Sequence, residues 1–345
     1  MTLHRETTKV LSIGKVKIGG GNPIAIQSMT NTDTRDANAT LEQIKRLHEA
    51  GCEIARVAVP NMDAAKALSQ ISANSPLPIV ADVHFDYRLA VASAKYGANK
   101  LRINPGNIGA TERVREVARA AEEYGIPIRV GANGGSTKRK GARGLAKLAL
   151  EQVEIFETVG FYNIVLAVKS SNVSECIEAN EILARQTNYP IHIGVTEAGG
   201  VKKGAIKSAV GLGAILASGV GDTIRVSLTG DPVEEISVAR DILSALGLRK
   251  FGPELISCPT CSRVQSDVIK IASQIEKELE NIKTPIKVAV MGCAVNGPGE
   301  ASDADVGVAC GKGMGLIFAN GKKIKSVPEE NITKELLEQI KSITA

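Results

Sequence analysis

The 345-residue chain has no tryptophan, five phenylalanines and five tyrosines, so aromatics make up only 3% of it. A core must then be assembled from Ala, Val, Ile and Leu, which suits a closely packed α/β protein, and apolar residues at 43% suffice to fill one. Long apolar runs are also missing: no stretch approaches the roughly 20 residues that a membrane-spanning helix needs. The opening MTLHRETTKVLSIGKVKIGG carries no apolar leader, from which we expect no signal peptide and a cytoplasmic location. The net charge is a mild +5, without a basic stripe interleaved with aromatics. Neither a membrane nor nucleic acid is therefore expected as a partner; a small anionic ligand accounts for the excess equally well. No G-x-G-x-x-G follows the first strand-like run, and the basic, glycine-rich GANGGSTKRKGARG (Gly131 to Gly144) lacks Walker spacing. That loop reads as phosphate-touching or as solvated, and the early GGGN as a turn.

What is present is a repeated alternation. Short β-branched runs, PIAIQSM, EIARVAV, LPIVADV, NKLRIN, IPIRVGA, YNIVLAV, PIHIGV and DTIRVSL, are each followed by a segment of helical period such as ATERVREVARAAEEYG. Gly51, Gly97, Gly125 and Gly160 supply helix stops. Eight such units match a TIM-like (β/α)8 barrel, with an open doubly wound sheet as the alternative. After ALGLRKFGPEL the pattern changes. We expect a barrel over residues 1–250 and a small α+β domain over 251–345, with a helix after CPTC, a strand at IKVAVMG, glycine-rich strands and a closing amphipathic helix.

Barrel active sites lie at the C-terminal ends of the strands. The residues falling there are Arg56; Asp82 and His84; Arg102 and Asn104; Arg129 and Asn133; Lys169; Thr196 and Glu197; and Arg225 and Ser227. Four arginines and a lysine around one mouth repel each other unless an anion joins them, and the guanidinium fork suits phosphate. The pattern points to a substrate with several phosphate charges; the alternative is that some of the cations face outward or pair with Asp82 and Glu197. His84 reads equally as an acid or a packed ring, and Glu197 as a proton donor or a counter-charge.

Of six cysteines, Cys52 and Cys176 fall in the barrel half and read as ordinary thiols. Cys258 and Cys261 form a C-x-x-C that we expect to sit immediately before a helix, whose amides favour thiolate. Cys293 follows in GCAVNGPGE, and the three together favour a metal over a redox pair. No histidine follows His192, so a zinc site could be closed only by Cys310. An iron–sulfur cluster usually takes four thiolates, but an oxygen ligand such as Glu300 leaves one iron exchangeable. By spacing alone the fourth ligand is Cys310, Glu300 or absent.

The stretches IAIQSMTNTDTRD, VADVHFDYRLA, KLRINPGNIG, IPIRVGANGGS, VTEAGG, TIRVSLTGDP, SCPTCSR and VMGCAVNGPGEA, in order along nearly the whole chain, resemble the bacterial 4-hydroxy-3-methylbut-2-enyl diphosphate synthase family of the methylerythritol phosphate isoprenoid pathway. The resemblance implies a TIM-like barrel joined to a small α+β iron–sulfur domain related to the sulfite-reductase ferredoxin-like fold. It implies a [4Fe–4S] cluster on Cys258, Cys261 and Cys293, with Glu300 as fourth ligand. The substrate would be 2-C-methyl-D-erythritol 2,4-cyclodiphosphate, reductively opened and dehydrated with two electrons from flavodoxin or ferredoxin. Carried over by position, Arg56, Arg102, Arg129 and Lys169 would hold the diphosphate, with Asp82, His84, Asn104, Asn133, Arg225 and Ser227 at the same mouth and Asn296 on the cluster side. Glu197, His84 and Glu300 would be the catalytic groups, and Asn-Gly-Pro-Gly the turn that returns Glu300 to the metal. The family also implies a head-to-tail homodimer. Two features depart or narrow the match: GANGGS has Gly134 where Ala is expected, and the long inserted domain of plant-type members is missing. A metal-free transferase of the dihydropteroate synthase kind, whose opening strand IQSMTNTD resembles, would leave the cysteines unexplained.

Overall fold

The computed structural model describes residues 3–104, 108–109, 111–136 and 141–344. Thr137 to Lys140 of the basic loop, and 105–107 and 110 of KLRINPGNIG, lie outside the described residues. The chain divides into two compact units, residues 1–249 and 250–345.

In the first unit, a hairpin of β1 (Leu11–Ile13) and β2 (Val16–Ile18) precedes eight parallel strands: β3 (Ala25–Met29), β4 (Ile54–Ala58), β5 (Ile79–Asp82), β6 (Lys100–Arg102), β7 (Ile128–Asn133), β8 (Ile164–Lys169), β9 (His192–Ile193) and β10 (Thr223–Ile224). They pair in the order β8-β7-β6-β5-β4-β3-β10-β9. A parallel bridge between Leu166 and Ile191 joins the two ends of that series, with the Leu166 N–H donating to Pro190 O at 2.9 Å. The ring is a barrel rather than an open sheet, and the eight runs picked out by sequence are its staves.

The helices between strands start where a short polar side chain can accept a backbone N–H. Asp36, Asn61, Asn172 and Asp231 cap the helices Ala37–Glu49, Met62–Asn74, Val173–Gln186 and Pro232–Ala245. The expected stops at Gly51, Gly97, Gly125 and Gly160 all have positive φ. These caps keep the loops leaving the C-terminal ends of several strands short, which holds the side chains there on rigid backbone.

The β1–β2 hairpin carries no signal that set it apart in the sequence. Its apolar residues Leu11, Ile13 and Ile18 pack with Ala25, Ile54, Val80 and Val165, lining the N-terminal end of the barrel. Strands β9 and β10 are shorter than their runs suggested. Arg225 and Ser227 were expected within the last strand, but pairing ends at Ile224. Beyond it the Leu228 N–H donates to Glu235 Oε1 at 3.1 Å, so a side chain takes over the backbone donor and the chain leaves the sheet.

The second unit is a five-stranded sheet in sequence order: β11 (Glu254–Ser257), β12 (Lys287–Met291), β13 (Val306–Gly311), β14 (Met314–Ala319) and β15 (Lys322–Pro328). The first three are parallel and the rest antiparallel. Alternation along the strands sorts two faces. Val288, Val290, Val306, Val308 and Cys310 share a core with the helices Val268–Leu279 and Ile332–Thr344. The smaller Ala289, Met291 and Ala309 meet Ala301 of the short helix Gly297–Ser302. Among the described residues no helix is long and apolar enough to cross a membrane.

If the hairpin seals the barrel floor, Ile18→Ala, which empties a fully buried site, should cost about 2–5 kcal/mol. Chemical denaturation reads this; a loss below about 1 kcal/mol would show the hairpin to be peripheral.

Candidate functional site

Inward-facing residues at the C-terminal end of the barrel surround a cavity of about 220 Å3. Its wall includes Arg56 from β4, Arg102 from β6, Arg129 from β7, Lys169 from β8, and Arg225 and Ser227 just past β10. His84, Asn133 and Thr196 complete the rim. The period of two places them: Asp82, Arg102 and Arg129 stand side by side in register across β5, β6 and β7.

Two carboxylates organise three of the five cations. Asp82, 3% exposed, pairs with Arg56 through Oδ2, with Arg102 through Oδ1 at 3.1 Å and with His84 Nε2 at 3.3 Å. Burial opposes its charge, but the His84 hydrogen bond and the charges of Arg56 and Arg102 prevail and hold it well below the usual carboxylate range. It therefore works as a girder beneath the cavity and does not itself line the wall. Glu235, on the helix after β10, accepts from Ser28 Oγ at 2.8 Å and pairs with Arg225 Nε at 3.5 Å.

Arg129 and Lys169 have neither. No ion pair among the described residues involves them, and Arg129 Nε is buried without a hydrogen-bond partner, the residue being 3% exposed. Burial, then the nearby arginines, press both cations well below their ordinary values. A guanidinium does not surrender its proton in a protein. The strain at Arg129 is instead stored as a demand for an anion. Arg56, pulled down to about 10 chiefly by burial and relieved by Asp82, also stays charged at neutral pH.

Backbone shape fits these side chains. At Gly131 a Cβ would lie 1.7 Å from the Ala167 carbonyl oxygen, so only glycine lets β7 and β8 approach this closely at the wall. At Gly194 it would lie 2.7 Å from Lys169 Nζ, so the missing side chain is the space Lys169 occupies. Glu197 lies exposed at the rim with φ 51°, a left-handed backbone unusual for a glutamate and of the kind that gathers at functional sites. It does not line the cavity; Thr196 Oγ1 donates to its Oε1 at 3.4 Å. Asn104 is also off the wall, accepting from Gln152 Nε2 at 3.4 Å, while Gln152 Oε1 holds the Gly131 N–H at 2.9 Å.

In the second unit the cysteines gather at strand ends. Cys258 follows β11, and its Sγ accepts the Gly292 N–H at 3.1 Å, one residue before Cys293. Cys293 Sγ is held below the ordinary thiol range by the backbone N–H groups of Asn296, Val295 and Gly297, which favours thiolate. Cys261 is exposed. The C-x-x-C does not sit at a helix start: the next helix begins at Val268, because the Gln265 N–H is held by Gly292 O at 2.9 Å and the cap is Asp267. Asn-Gly-Pro-Gly is likewise no free turn but opens the helix Gly297–Ser302, with Pro298 in its first turn. Asn296 and Glu300 are exposed there. Cys310 is fully buried and burial pushes its thiol up, making it a poor thiolate. Cys52 and Cys176 are buried in the barrel. Among the described residues no three His, Cys, Asp or Glu side chains converge closely enough to hold a metal ion.

Sequence reasoning did not single out Glu235, inside an ordinary helical DPVEEI, nor the buried polar group of Gln27, Lys100 and His192. Lys100 was findable, since it shares the inward face of β6 with Arg102 at a spacing of two.

Two family models together cover nearly the whole chain: the GcpE TIM-barrel domain matches residues 8–240 and the GcpE protein C-terminal domain residues 254–342. A 4-hydroxy-3-methylbut-2-en-1-yl diphosphate synthase (flavodoxin) of Clostridium acetobutylicum is 54% identical over 98% of this chain and 99% of its own. One of Caldanaerobacter subterraneus is 52% identical over 99% of both. Among solved structures, 3-dehydroquinate dehydratase from Geobacillus kaustophilus (TM-score 0.53, 18% identity) and Yersinia pestis dihydropteroate synthase (0.51, 12%) cover 70% and 69% of this chain and 98% of their own. These share the barrel fold alone.

Arg129→Met removes a buried charge that lacks a partner. The ligand-free protein should become more stable by about 1–3 kcal/mol, while inorganic pyrophosphate binding falls at least about a hundredfold. Thermal denaturation and calorimetry check both; a variant that is destabilised and still binds would refute the anion demand.

Proposed function

The chain belongs to the GcpE family of 4-hydroxy-3-methylbut-2-en-1-yl diphosphate synthases, and from that premise we propose that the arginine-lined cavity of its barrel is the site of the cyclic diphosphate. The reaction is the reductive ring opening and dehydration of 2-C-methyl-D-erythritol 2,4-cyclodiphosphate to the linear allylic diphosphate. The observation that carries the site assignment is the buried Arg129, whose Nε lacks an acceptor among the described residues, beside Lys169, which joins no ion pair among them. A diphosphate supplies the missing anion.

In this reading Arg56, Arg102, Arg129, Lys169 and Arg225 hold the two phosphates, and Asp82 and Glu235 fix the forks that reach them. As the ring C–O bond breaks, negative charge grows on the phosphate oxygen already facing these cations, and preorganised donors stabilise it without rearranging. Ser227 and Asn133 orient the carbon chain. The departing hydroxyl leaves as water and needs a proton; His84, anchored on Asp82, and Glu197 at the rim are the donors we assign.

Cys258, Cys261 and Cys293 would hold a [4Fe–4S] cluster, with Glu300 as the fourth, weaker ligand. The donor chemistry fits: two of the thiols lie at adjacent strand ends, one of them already biased toward thiolate, and Cys310 is committed to the core. When bound, the cluster supplies electrons one at a time. Asn296 belongs to the same loop. Flavodoxin, named in the relatives, is the donor we assign in preference to ferredoxin. The same proposal divides the labour at about residue 250, barrel for substrate and second unit for cluster. It joins them in a head-to-tail homodimer in the cytoplasm.

Iron analysis after anaerobic purification tests the ligands. Cys293→Ser should lose the cluster, Cys310→Ser should keep full iron content, and Glu300→Ala should keep iron but lose turnover. A Cys310→Ser protein without iron would transfer the fourth ligand to Cys310.

Mixing inactive Arg129→Met and Cys293→Ser chains tests the dimer. Sites shared between chains restore one site in each mixed dimer, about a quarter of normal activity per chain. No restoration would place each site within a single chain.

A further inference from the structure

TIM-barrel interiors are normally filled by apolar layers. Here one layer is polar. Lys100, Gln27 and His192 are 0%, 1% and 0% exposed. Lys100 lies two residues before Arg102 on β6, on the same inward face and about 7 Å deeper. It pairs in register with Val80, which belongs to the apolar group packed on the floor hairpin. The layer is thus sealed below by Ile13 and Ile18 of the hairpin, which pack with Ile54 and Val80, and lies under the cations of the mouth.

The layer is short of partners. Lys100 Nζ donates to Gln27 Oε1 at 3.2 Å. Among the described residues Gln27 Nε2 is buried without a partner, as is His192 Nε2, whose other ring nitrogen meets Thr223 Oγ1 at 2.7 Å. The charges acting on Lys100 are positive, Arg129 from β7 and Arg56 from β4, and Lys100 in turn acts on His192 from β9. The neighbouring carboxylate, Asp82 of β5, is already shared by Arg56, Arg102 and His84. A buried ammonium with one amide oxygen and no counter-ion is unstable, whereas the free amine is tolerated.

We infer that Lys100 is a proton-binding site inside the barrel, uncharged while the cavity above is empty and charged once a diphosphate fills it. The proton comes from bulk buffer and is taken by the lone pair of Nζ. Two phosphate charges above offset the arginines that hold the proton away. The barrel thereby gains a positive charge under the substrate when it is useful, without holding it in the empty state. Burial, first, and then Arg129 and Arg56 depress the amine in the ligand-free protein, in line with this. The inference rests on the cavity being the cyclodiphosphate site.

The test is calorimetric titration of oxidised holoenzyme with the cyclodiphosphate at neutral pH, in buffers of different ionisation enthalpy. Each phosphorus of this ligand carries one ester and one anhydride linkage and so a single, strongly acidic ionisation, which brings no titration of its own near neutrality. Wild type should take up protons on binding, and Lys100→Met should take up fewer by about half a proton or more. Lys100→Gln, which keeps a hydrogen bond to Gln27, should show the same shortfall and stands in if the Met variant does not fold.

A second measurement needs no ligand. With the folded value below the unfolded one, unfolding binds a proton over the interval from the folded value up to the ordinary 10.5, so wild-type stability falls as pH drops through it. Lys100→Met should flatten that slope. Equal uptake and an equal slope in both proteins overturn the inference. Absence of any binding heat in wild type overturns the cavity assignment instead, and the slope then decides the state of Lys100.

Discussion

Positive charge confined at one end of a narrow barrel governs this molecule. Five cations share a cavity wall, and the two carboxylates behind it are both spent on holding arginines in place. Burial removes the water that would otherwise screen the rest, so the repulsion cannot be dissipated locally. Much of the surrounding structure answers that load. Asp82 braces three side chains at once, Glu235 pulls the chain out of the sheet to reach Arg225, and Gly194 leaves room for Lys169. In the proposed reading, the cost of that unpaired charge becomes binding energy when a diphosphate enters.

Much of this was legible in the sequence because parallel strands have a rigid period of two. Arg102 and Arg129 fall in register across neighbouring strands, and nothing in the fold can move one without shifting the whole stave. The eight-unit count, the glycine stops and the change of pattern near residue 250 are likewise local signals that tertiary packing did not override. The misses occurred where side chains compete for backbone groups. Arg225 was read inside a strand, but Glu235 captures the Leu228 N–H and ends the pairing. The helix after the C-x-x-C was read too early, because Gly292 ties down the intervening loop until Asp267 can cap it. Asn-Gly-Pro-Gly looks like a turn, yet proline is at ease in the first turn of a helix. None of these contacts leaves a trace in spacing. The polar layer under the mouth is a different kind of omission: Lys100 had the right period, but a lysine inside a barrel runs against the expectation that such interiors are apolar.

The second unit separates its cysteines by environment. Cys310 sits on the face of the sheet that two helices cover, and its thiol is held protonated by burial. Cys258 and Cys293 lie at the ends of adjacent parallel strands, where backbone N–H groups are free to meet sulfur. Spacing alone could not rank Cys310 against Glu300; the burial of Cys310 in the sheet supports the proposed preference for Glu300.

The hairpin at the N-terminal end makes the barrel a cup and not a tube. With Leu11, Ile13 and Ile18 packed across the floor, substrate and product share one doorway. The product of the family's reaction retains its diphosphate, so in the proposed reading it meets the same cations on leaving as the substrate met on arriving. On that reading turnover is a single-lane exchange: occupancy by one excludes the other, and the tightness that secures the substrate also sets how slowly the product departs.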